Sequence, residues 1–190
     1  MKTLIVILLS IFIFTTHAHS QITKGNWVMG GNASYLLTHN NSESYGGVKN
    51  TTYSLLITPE VGYFFADKLS TGLKVRIERQ GHRYKGGSTF DRGFKYNLGP
   101  FIRYYFLPAE NIVNLLIEGS YQFGLTGGNN KFGSSRNIFT AAAGPVMFVN
   151  SSLGLELLLL YSNYKLVQYP GDNRTITISA GIQAYLEKKE

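Results

Sequence analysis

The sequence contains no cysteine among its 190 residues. This absence excludes structural disulfides and thiolate metal sites, although many exported bacterial proteins also lack cysteine. Histidine is scarce beyond residue 20, where only His39 and His82 occur, and neither lies at a recognisable spacing from a second metal ligand. No glycine-rich stretch follows a strand and opens a helix, so nucleotide binding has no support in the sequence. We therefore expect no metal and no cofactor.

The first twenty residues differ in composition from the rest of the chain. Lys2 precedes an apolar run over 4–14, and Ala18-His19-Ser20 follows it. A basic start, an apolar stretch too short to cross a bilayer and small residues near a cleavage point are typical of a secretory signal peptide. A buried core helix would instead need a polar face, which this run lacks. The sequence predicts a removable signal peptide over 1–20 and one domain over 21–190.

The composition after residue 20 favours an exported all-β protein. The 18 Lys and Arg of the full sequence include Lys2, so 17 remain against 11 Asp and Glu, a net charge of +6. In an exported protein we expect anionic lipid headgroups to supply the counter-charge, and not nucleic acid. After residue 20 the chain has 13 tyrosines and 10 phenylalanines, which favour strands. Glycine pairs that indicate loop tips occur at Gly46-Gly47, Gly86-Gly87 and Gly127-Gly128. No helical period is present after residue 21.

Apolar residues alternate with polar or small ones in eight segments of about ten to thirteen residues, long enough for tilted strands to span a bilayer. Successive side chains of a strand point to opposite faces, so each segment has one apolar face. The first segment, 27–37, and the sixth, 137–149, are less regular because small and apolar residues occupy both faces. The third and fifth segments are the clearest. The apolar face of the third comprises Leu69, Thr71, Leu73, Val75 and Ile77, and that of the fifth comprises Val113, Leu115, Ile117, Tyr121 and Phe123.

The connections between these segments alternate in length. Short ones are predicted at 66–68, 107–111 and 150–152, and longer polar ones at 38–51, 79–92, 125–136 and 165–174. This layout is typical of an all-β, eight-stranded antiparallel up-and-down transmembrane β-barrel. Such a barrel belongs in the outer membrane, and its even number of strands places both termini on the short-turn side, which we expect to be periplasmic.

The polar faces carry the charged residues of the segments. A soluble lipocalin-like carrier would have the reverse arrangement, with an apolar lumen and a charged exterior. Four acids and four bases inside a barrel can pair with one another while the uncharged exterior faces lipid. The predicted charge network of the lumen is Glu60, Lys74, Arg76, Glu78, Lys95, Arg103, Glu118 and Glu156. The lumen must also hold Phe101, Tyr105, Leu116, Phe148, Leu158, Leu160 and Tyr185, so we expect it to be closed to ions.

Aromatic residues cluster near both ends of the predicted strands, as expected for belts at the two membrane interfaces. The belt near the short turns comprises Trp27, Tyr63, Phe64, Tyr104, Tyr105, Phe106, Phe148 and Tyr185. The belt near the longer loops comprises Tyr53, Phe94, Tyr121, Phe123, Phe139 and Tyr161. Pro59, Pro100 and Pro145 lie within the strands and each removes a ladder donor. We therefore expect bulges or local distortions at these three positions.

A short motif recurs in the even-numbered strands, at 58–64, at 99–106 and, more loosely, at 144–148, with Thr58-Pro59, Gly99-Pro100 and Gly144-Pro145 at its start. Together with Gly25-Asn26-Trp27 and the run Val-Gly-Tyr-Phe-Phe-Ala-Asp-Lys-Leu at 61–69, this motif resembles the outer-membrane β-barrel domain proteins common in Bacteroidetes-type bacteria. The resemblance covers 21–186 and implies the fold and the location, but no activity. The last strand, 179–186, resembles the signal that the barrel-assembly machinery reads, so this machinery is an expected partner during insertion.

One predicted loop, 79–92, carries a strong basic bias that only Asp91 opposes. Guanidinium groups suit the phosphates of lipopolysaccharide. The candidate contacts to lipid headgroups are Arg79, Arg83, Lys85 and Arg92.

The function that these features favour is non-enzymatic. We expect a monomeric barrel that stabilises the envelope or displays loops for recognition or adhesion, with outer-membrane lipids as its surroundings. A narrow pore is the second candidate. A lipid A modifying enzyme is the third, because Ser42, Ser44 and Ser88 lie in the same polar segments as His39 and His82, and a histidine base needs a serine nucleophile within hydrogen-bond reach.

Overall fold

The computed structural model describes residues 21–41, 49–84, 91–125, 136–166 and 172–187, so the predicted signal peptide over 1–20 lies outside it. The strands of the described part are β1 Trp27–Asn41, β2 Lys49–Ala66, β3 Leu69–Tyr84, β4 Asp91–Tyr105, β5 Val113–Leu125, β6 Arg136–Asn150, β7 Leu153–Leu166 and β8 Asp172–Leu186. Each strand pairs antiparallel with the next, and β1 also pairs with β8, which closes the sheet into a barrel. The predicted strand number and order are confirmed. No helix in the described ranges has the length and apolar character to cross a membrane.

The barrel has two distinct ends. The turn end holds Gln21, Glu187 and the connections 67–68, 106–112 and 151–152, and the loop end is where β1, β3, β5 and β7 finish. At the loop end the strands run further than predicted, since Asn41 pairs with Lys49 and Lys165 with Asp172. Likewise 79–92 is not one loop, because β3 continues to Tyr84 and β4 starts at Asp91. Polar residues extend a ladder readily once the apolar part of the strand has set the register.

The apolar faces of the strands point outward, as the alternation predicts. Leu73 and Leu115 are 53% and 49% exposed, whereas their neighbours Lys74 and Leu116 are 6% and 1% exposed. The concave surface therefore carries the charges, which contradicts a lipocalin-like carrier. The irregularity of the sixth segment has a physical reason, since the inward face of β6 is itself apolar and consists of Ile138, Ala142, Val146 and Phe148 with Thr140.

The aromatic residues near the turn end divide between the two faces. Outward rings form contacts such as Trp27 with Tyr63 and Tyr104 with Phe106, each with ring centroids 5.2 Å apart. The belt prediction was wrong for four residues, because Phe64, Tyr105, Phe148 and Tyr185 are buried in the lumen. For Tyr105, Phe148 and Tyr185 the other prediction, a position inside the lumen, is confirmed. At the loop end the predicted belt does lie outside, with Phe94, Tyr121, Phe123, Phe139 and Tyr161 exposed.

The three strand prolines all lie on the outer face and interrupt pairing on one side. Beside each proline, the ladder to one neighbouring strand skips two positions. The interrupted ladder is that with β3 at Pro59, that with β5 at Pro100 and that with β7 at Pro145, and the register is the same on both sides of each gap. The prediction of bulges was therefore wrong, whereas the prediction of local distortions at these three prolines is confirmed, as gaps in the ladder. The register shifts occur instead near the turn end, at Phe64/Ala66 and Phe148/Asn150.

The glycine that precedes Pro100 lets the neighbouring strand come close. A Cβ added at Gly99 would lie 1.9 Å from the carbonyl oxygen of Tyr121 and 2.6 Å from the Cα of Gln122. Both are backbone atoms, so neither can rotate away. Gly119, one strand away on the outer face, is the opposite case, because its added Cβ would meet only a methyl group of Ile102 at 4.0 Å.

This contrast gives the first prediction. Gly99→Ala should lower the free energy of unfolding by about 1 to 3 kcal/mol, because the two strands must separate to admit the methyl group. Gly119→Ala should leave it unchanged or raise it by up to about 1 kcal/mol, since alanine restricts the unfolded chain. Guanidinium unfolding of the purified protein in detergent micelles measures both. Equal midpoints for the two variants would contradict the close approach of β4 and β5.

Candidate functional site

Arg103 lies at the centre of the lumen and is fully buried. Its guanidinium group contacts three carboxylates from three different strands. Nη2 donates to Glu60 Oε1 at 2.5 Å and to Glu118 Oε2 at 2.6 Å, and Nη1 donates to Glu156 Oε1 at 3.0 Å. Nε makes a second bond to Glu118 Oε2 at 3.0 Å. The planar fork of arginine suits this arrangement, because it offers five donors in fixed directions.

Lys74 is the second cation of this group. Its Nζ lies 2.7 Å from Glu60 Oε2 and also donates to Glu118 Oε1. The ring of Phe101 lies beside both cations, with its centroid 5.3 Å from Lys74 Nζ and 5.5 Å from Arg103 Cζ. We call Glu60, Lys74, Arg103, Glu118 and Glu156 the lumen cluster. Its three carboxylates and two cations link β2, β3, β4, β5 and β7 across the barrel.

Two neutral groups add hydrogen bonds to the lumen cluster. Gln183 Nε2 on β8 donates to Glu60 Oε1 at 2.8 Å and to Glu156 Oε2 at 3.2 Å. Tyr105 OH lies 3.3 Å from Arg103 Nη1 and 3.1 Å from Tyr185 OH. These bonds satisfy buried polar atoms that would otherwise be costly to remove from water.

The backbone register explains how these long side chains come together. Glu60 pairs with Lys74 across β2 and β3, and Arg103 pairs with Glu118 across β4 and β5. Glycine occupies several cross-strand neighbours of these residues, with Gly30 opposite Glu60 and Gly99 opposite Lys74. Because glycine has no side chain, the lumen beside the charged residues is free for them to extend toward its axis.

The other predicted charges lie nearer the loop end. Arg76 Nη2 contacts Glu78 Oε2 at 3.5 Å, and Ser54 Oγ donates to Glu78 Oε1 at 3.2 Å. Lys95 is half-buried and lies opposite Glu78 in the register of β3 and β4. The eight predicted residues therefore all lie on the inner face. Five of them form the lumen cluster, in which three carboxylates face two cations, and the other three lie nearer the loop end.

The turn end of the lumen is closed by a segment that precedes β1. Gln21 and Ile22 are fully buried, and Ile22 packs in the cluster of buried apolar residues that includes Phe64, Tyr105 and Tyr185. We call residues 21–26 the entry segment.

Backbone hydrogen bonds fix the entry segment at the turn end. Lys68 N donates to Ile22 O at 2.7 Å, Gly25 N to Phe64 O at 2.8 Å and Phe64 N to Asn26 O at 2.9 Å. Lys24 N donates to the Asp67 carboxylate at 2.8 Å, and Gln21 Nε2 donates to the carbonyl of Asn150. These bonds tie the segment to two of the turns, so it is part of the folded barrel.

Little space remains between these layers. A polar cavity of about 10 Å³ lies on the loop side of the lumen cluster, lined by residues such as Asn32, Ser120, Gln122 and Thr140. This volume holds about one water molecule. A much larger concavity, about 690 Å³, is an apolar groove on the outer surface, where Gly119, Ala141 and Ala143 are flanked by larger side chains.

The predicted headgroup contacts are only partly described. Arg79 lies on the outer face of β3, half-buried, with its guanidinium carbon 5.3 Å from the ring centroid of Phe94. Arg83 and Arg92 lie in β3 and β4, and Arg92 pairs with Gly81, but their side chains are outside the described part, as is all of Lys85.

The enzymatic alternative rests on residues that cannot be placed together. Ser42, Ser44 and Ser88 lie outside the described residues, and so do the side chains of His39 and His82. Within the described ranges, no group of three or more His, Asp or Glu side chains is placed to hold a metal ion.

Sequence reasoning missed the entry segment and Gln183. It placed Tyr105 and Tyr185 in the lumen, as observed, but not the contact between their hydroxyl groups. Gln183 does lie on the inward alternation of β8, so its direction could have been derived. Nothing in the composition of 21–26 indicates that it packs beneath the lumen.

Comparison with known proteins supports the fold and little else. No protein-family model matches the chain, and no curated protein matches it in sequence. The resemblance to Bacteroidetes-type barrel proteins is therefore unsupported. The crystal structure of Neisserial surface protein A (NspA) matches with a TM-score of 0.55 and 18% sequence identity, over 85% of this chain and 97% of that one. At this identity the likeness shows the barrel fold alone.

The second prediction concerns the energy of the lumen cluster. Glu118→Ala should lower the free energy of unfolding by about 3 to 5 kcal/mol, because it leaves Arg103 and Lys74 short of a buried counter-charge. A double-mutant cycle with Arg103→Ala should show coupling of at least about 1 kcal/mol. Guanidinium unfolding in micelles measures each variant.

The matched control is Arg79→Ala, which removes an arginine from the outer face of β3. It should add to Glu118→Ala without coupling, since the two side chains are on opposite faces of the sheet. Equal coupling with Arg79 and Arg103 would mean that the cycle reports general destabilisation and not the lumen cluster.

Proposed function

We propose that this chain is an integral outer-membrane β-barrel, closed to ions, whose role is to stabilise the envelope or to present its loop end for recognition or adhesion. The observation that carries this proposal is the combination of an apolar exterior with a lumen filled by buried, mutually paired charges. An apolar surface alone would also fit a protein–protein interface, and buried ion pairs alone occur in soluble proteins. Together they support the proposal of a barrel that faces lipid and conducts nothing.

The exterior supports the membrane location. Outward side chains along the middle of every strand are apolar, and examples from four strands are Ile57, Leu98, Leu157 and Ile178, which are 37% to 66% exposed. A soluble protein rarely exposes a continuous apolar surface of this extent. Aromatic rings at both ends of the apolar surface fit the two interfaces of a bilayer.

The lumen supports closure at three levels. The entry segment and the rings of Phe64, Tyr105, Phe148 and Tyr185 fill the turn end. The lumen cluster crosses the middle, and the polar layer beyond it leaves room for about one water. Eight-stranded barrels have an interior that side chains can fill, whereas open channels need about sixteen strands.

The narrow pore is the alternative to this proposal. A selective pore would be lined by rings of one charge sign around an open path. Here opposite charges contact each other directly on the axis, so an ion would have to break Arg103 from its carboxylates to pass. The lipid A modifying enzyme is the third candidate, and its serine and histidine candidates lie outside the described side chains.

Orientation follows from the assembly of such barrels. Short turns face the periplasm and longer loops face outward, so we propose that the turn end with both termini is periplasmic. Any recognition would then belong to the loop end. The barrel-assembly machinery is the proposed partner during insertion, and a monomer is the proposed state.

The third prediction tests the location. Protein expressed with its native leader should stay in the outer-membrane pellet after a carbonate wash, because only the burial of its apolar exterior in lipid holds it there. Immunoblots of washed pellet and supernatant measure this. A periplasmic protein without an apolar exterior serves as the control that the wash releases. Recovery of this chain in the soluble periplasmic fraction would end the membrane proposal.

The fourth prediction tests closure. Purified protein in a planar bilayer should give no steady conductance, because no continuous water path crosses the lumen cluster. The paired variant Glu60→Gln with Lys74→Met should also be silent, since both replacements retain much of the side-chain volume.

A sixteen-stranded porin inserted under the same conditions shows that the bilayer would detect a channel. Reproducible single-channel steps from the unmutated protein, absent from mock preparations, would overturn closure and favour the pore.

A further inference from the structure

Arg79 differs from the other charged residues of β3 in where it points. Lys74, Arg76 and Glu78 face the lumen, and each contacts an opposite charge. Arg79 lies on the outer face, in a cross-strand row between Leu55 and Phe94, which are 40% and 47% exposed. Among the described side chains, no carboxylate lies within ion-pair distance of it, and its Nε is buried without a hydrogen-bond partner.

The surroundings of Arg79 hold its guanidinium group in place. The ring of Phe94 lies 5.3 Å from Cζ, so the cation stacks on an aromatic face. On the next row the ring of Tyr53 covers Gly81, whose added Cβ would lie 2.3 Å from the Tyr53 ring and hydroxyl. The ring of Tyr53 thus occupies the space above Gly81, on the row next to Arg79. A guanidinium group fixed in this way loses less rotamer entropy when it binds an anion.

The height of Arg79 on the barrel places it at a membrane interface. It lies ten residues along β3 from Leu69, whose cross-strand partner Tyr104 belongs to the outward aromatic residues of the turn end. At a rise of about 3.3 Å per residue and a strand tilt of about 40°, this separation is about 25 Å along the barrel axis. The apolar band of an outer-membrane barrel is also about 25 Å tall. Arg79 therefore lies at the far border of the band, level with lipid headgroups.

Other arginines lie close to this position in the register. Arg92 pairs with Gly81, two residues from Arg79 along β3, and Arg83 follows four residues after Arg79. Among the outward strand side chains that the structure describes, the charged ones are Arg79 and Arg174, and both are basic. The outer face at this end thus has cations and no described counter-charge, which is the complement of an anionic headgroup layer.

We propose that Arg79, stacked on Phe94 and beside Tyr53, binds a phosphate group on the headgroup of an outer-leaflet glycolipid of the lipid A class. The guanidinium fork would donate two parallel hydrogen bonds to the phosphate oxygens. We expect the hydroxyl of Tyr53, one row from Arg79, to add a third, and the acyl chains of the lipid to lie along the apolar surface toward the turn end. This inference rests on the proposed membrane location and its outward loop end.

The experiment measures binding of lipid A to the purified full chain in detergent micelles by native mass spectrometry. The probes are lipid A with both phosphates, dephosphorylated lipid A and inorganic phosphate. The unmutated protein should bind phosphorylated lipid A about tenfold or more tightly than the dephosphorylated form, as expected for a charge-assisted hydrogen-bond pair. Inorganic phosphate should bind far more weakly, because it gains nothing from the apolar surface.

Variants assign the effect to Arg79. Arg79→Ala should abolish most of the preference for phosphorylated lipid A, and Arg79→Lys should retain part of it, because lysine keeps the charge but not the fork. Arg174→Ala is the matched control, an outward arginine on β8, and should change affinity by no more than about twofold. Circular dichroism first shows that each variant is folded.

Three results would overturn the proposal: equal affinity for both forms of lipid A, no loss in Arg79→Ala, or inorganic phosphate binding as tightly as lipid A. The last result would indicate a free-phosphate site. Because binding is measured in micelles, it does not depend on the cellular location, so a failed membrane fractionation and a failed lipid preference are separate outcomes.

Discussion

The burial of Arg103 is the constraint on which the rest of the barrel depends. A guanidinium group with no solvent contact is stable only if carboxylates and hydrogen-bond acceptors surround it, since an unpaired buried charge costs several kcal/mol. Glu60, Glu118 and Glu156 meet this need from three other strands. A slip of one residue in the register of β4 would turn Arg103 toward the apolar exterior. The lumen cluster therefore selects the register of several strands at once.

This arrangement inverts the usual distribution of polarity in a globular protein. The outer face of the barrel consists of apolar side chains that suit an apolar surrounding. It also carries Pro59, Pro100 and Pro145, at positions where backbone pairing with one neighbouring strand is interrupted. Inside, among the described residues, charges pair and rings pack, and the polar cavity beside the lumen cluster holds about one water molecule. A filled barrel has little capacity for transport. Arg79 is an exception to the apolar exterior, and the proposed contact with a lipid headgroup would give this exception a physical reason.

Much of the fold could be predicted because a strand period of two needs only a short window of sequence. The faces of β3 and β5 follow from that period alone, and so does the inward direction of all eight predicted charges. The partners of those charges could not be predicted, since they depend on cross-strand register, which sets Glu60 beside Lys74 and leaves Glu78 apart.

Two other features lie beyond local patterns. The aromatic belt was overestimated because position near a strand end does not distinguish Phe64 from Tyr63, whereas the alternation does. The entry segment was missed because its burial depends on the shape of the finished barrel and not on its own composition.

Water access to the lumen is the most direct test of a filled barrel. Because the sequence contains no cysteine, an introduced cysteine is the only thiol that a reagent can label. Single cysteines would replace Ser120, which is 4% exposed inside the lumen, and Glu110, which is exposed in a turn. Labelling of the folded protein in micelles by a charged, water-soluble thiol reagent measures their access. The filled lumen predicts rapid labelling at Glu110→Cys and none at Ser120→Cys until the protein is unfolded. Comparable labelling rates at the two positions would show a water-filled lumen and contradict the account.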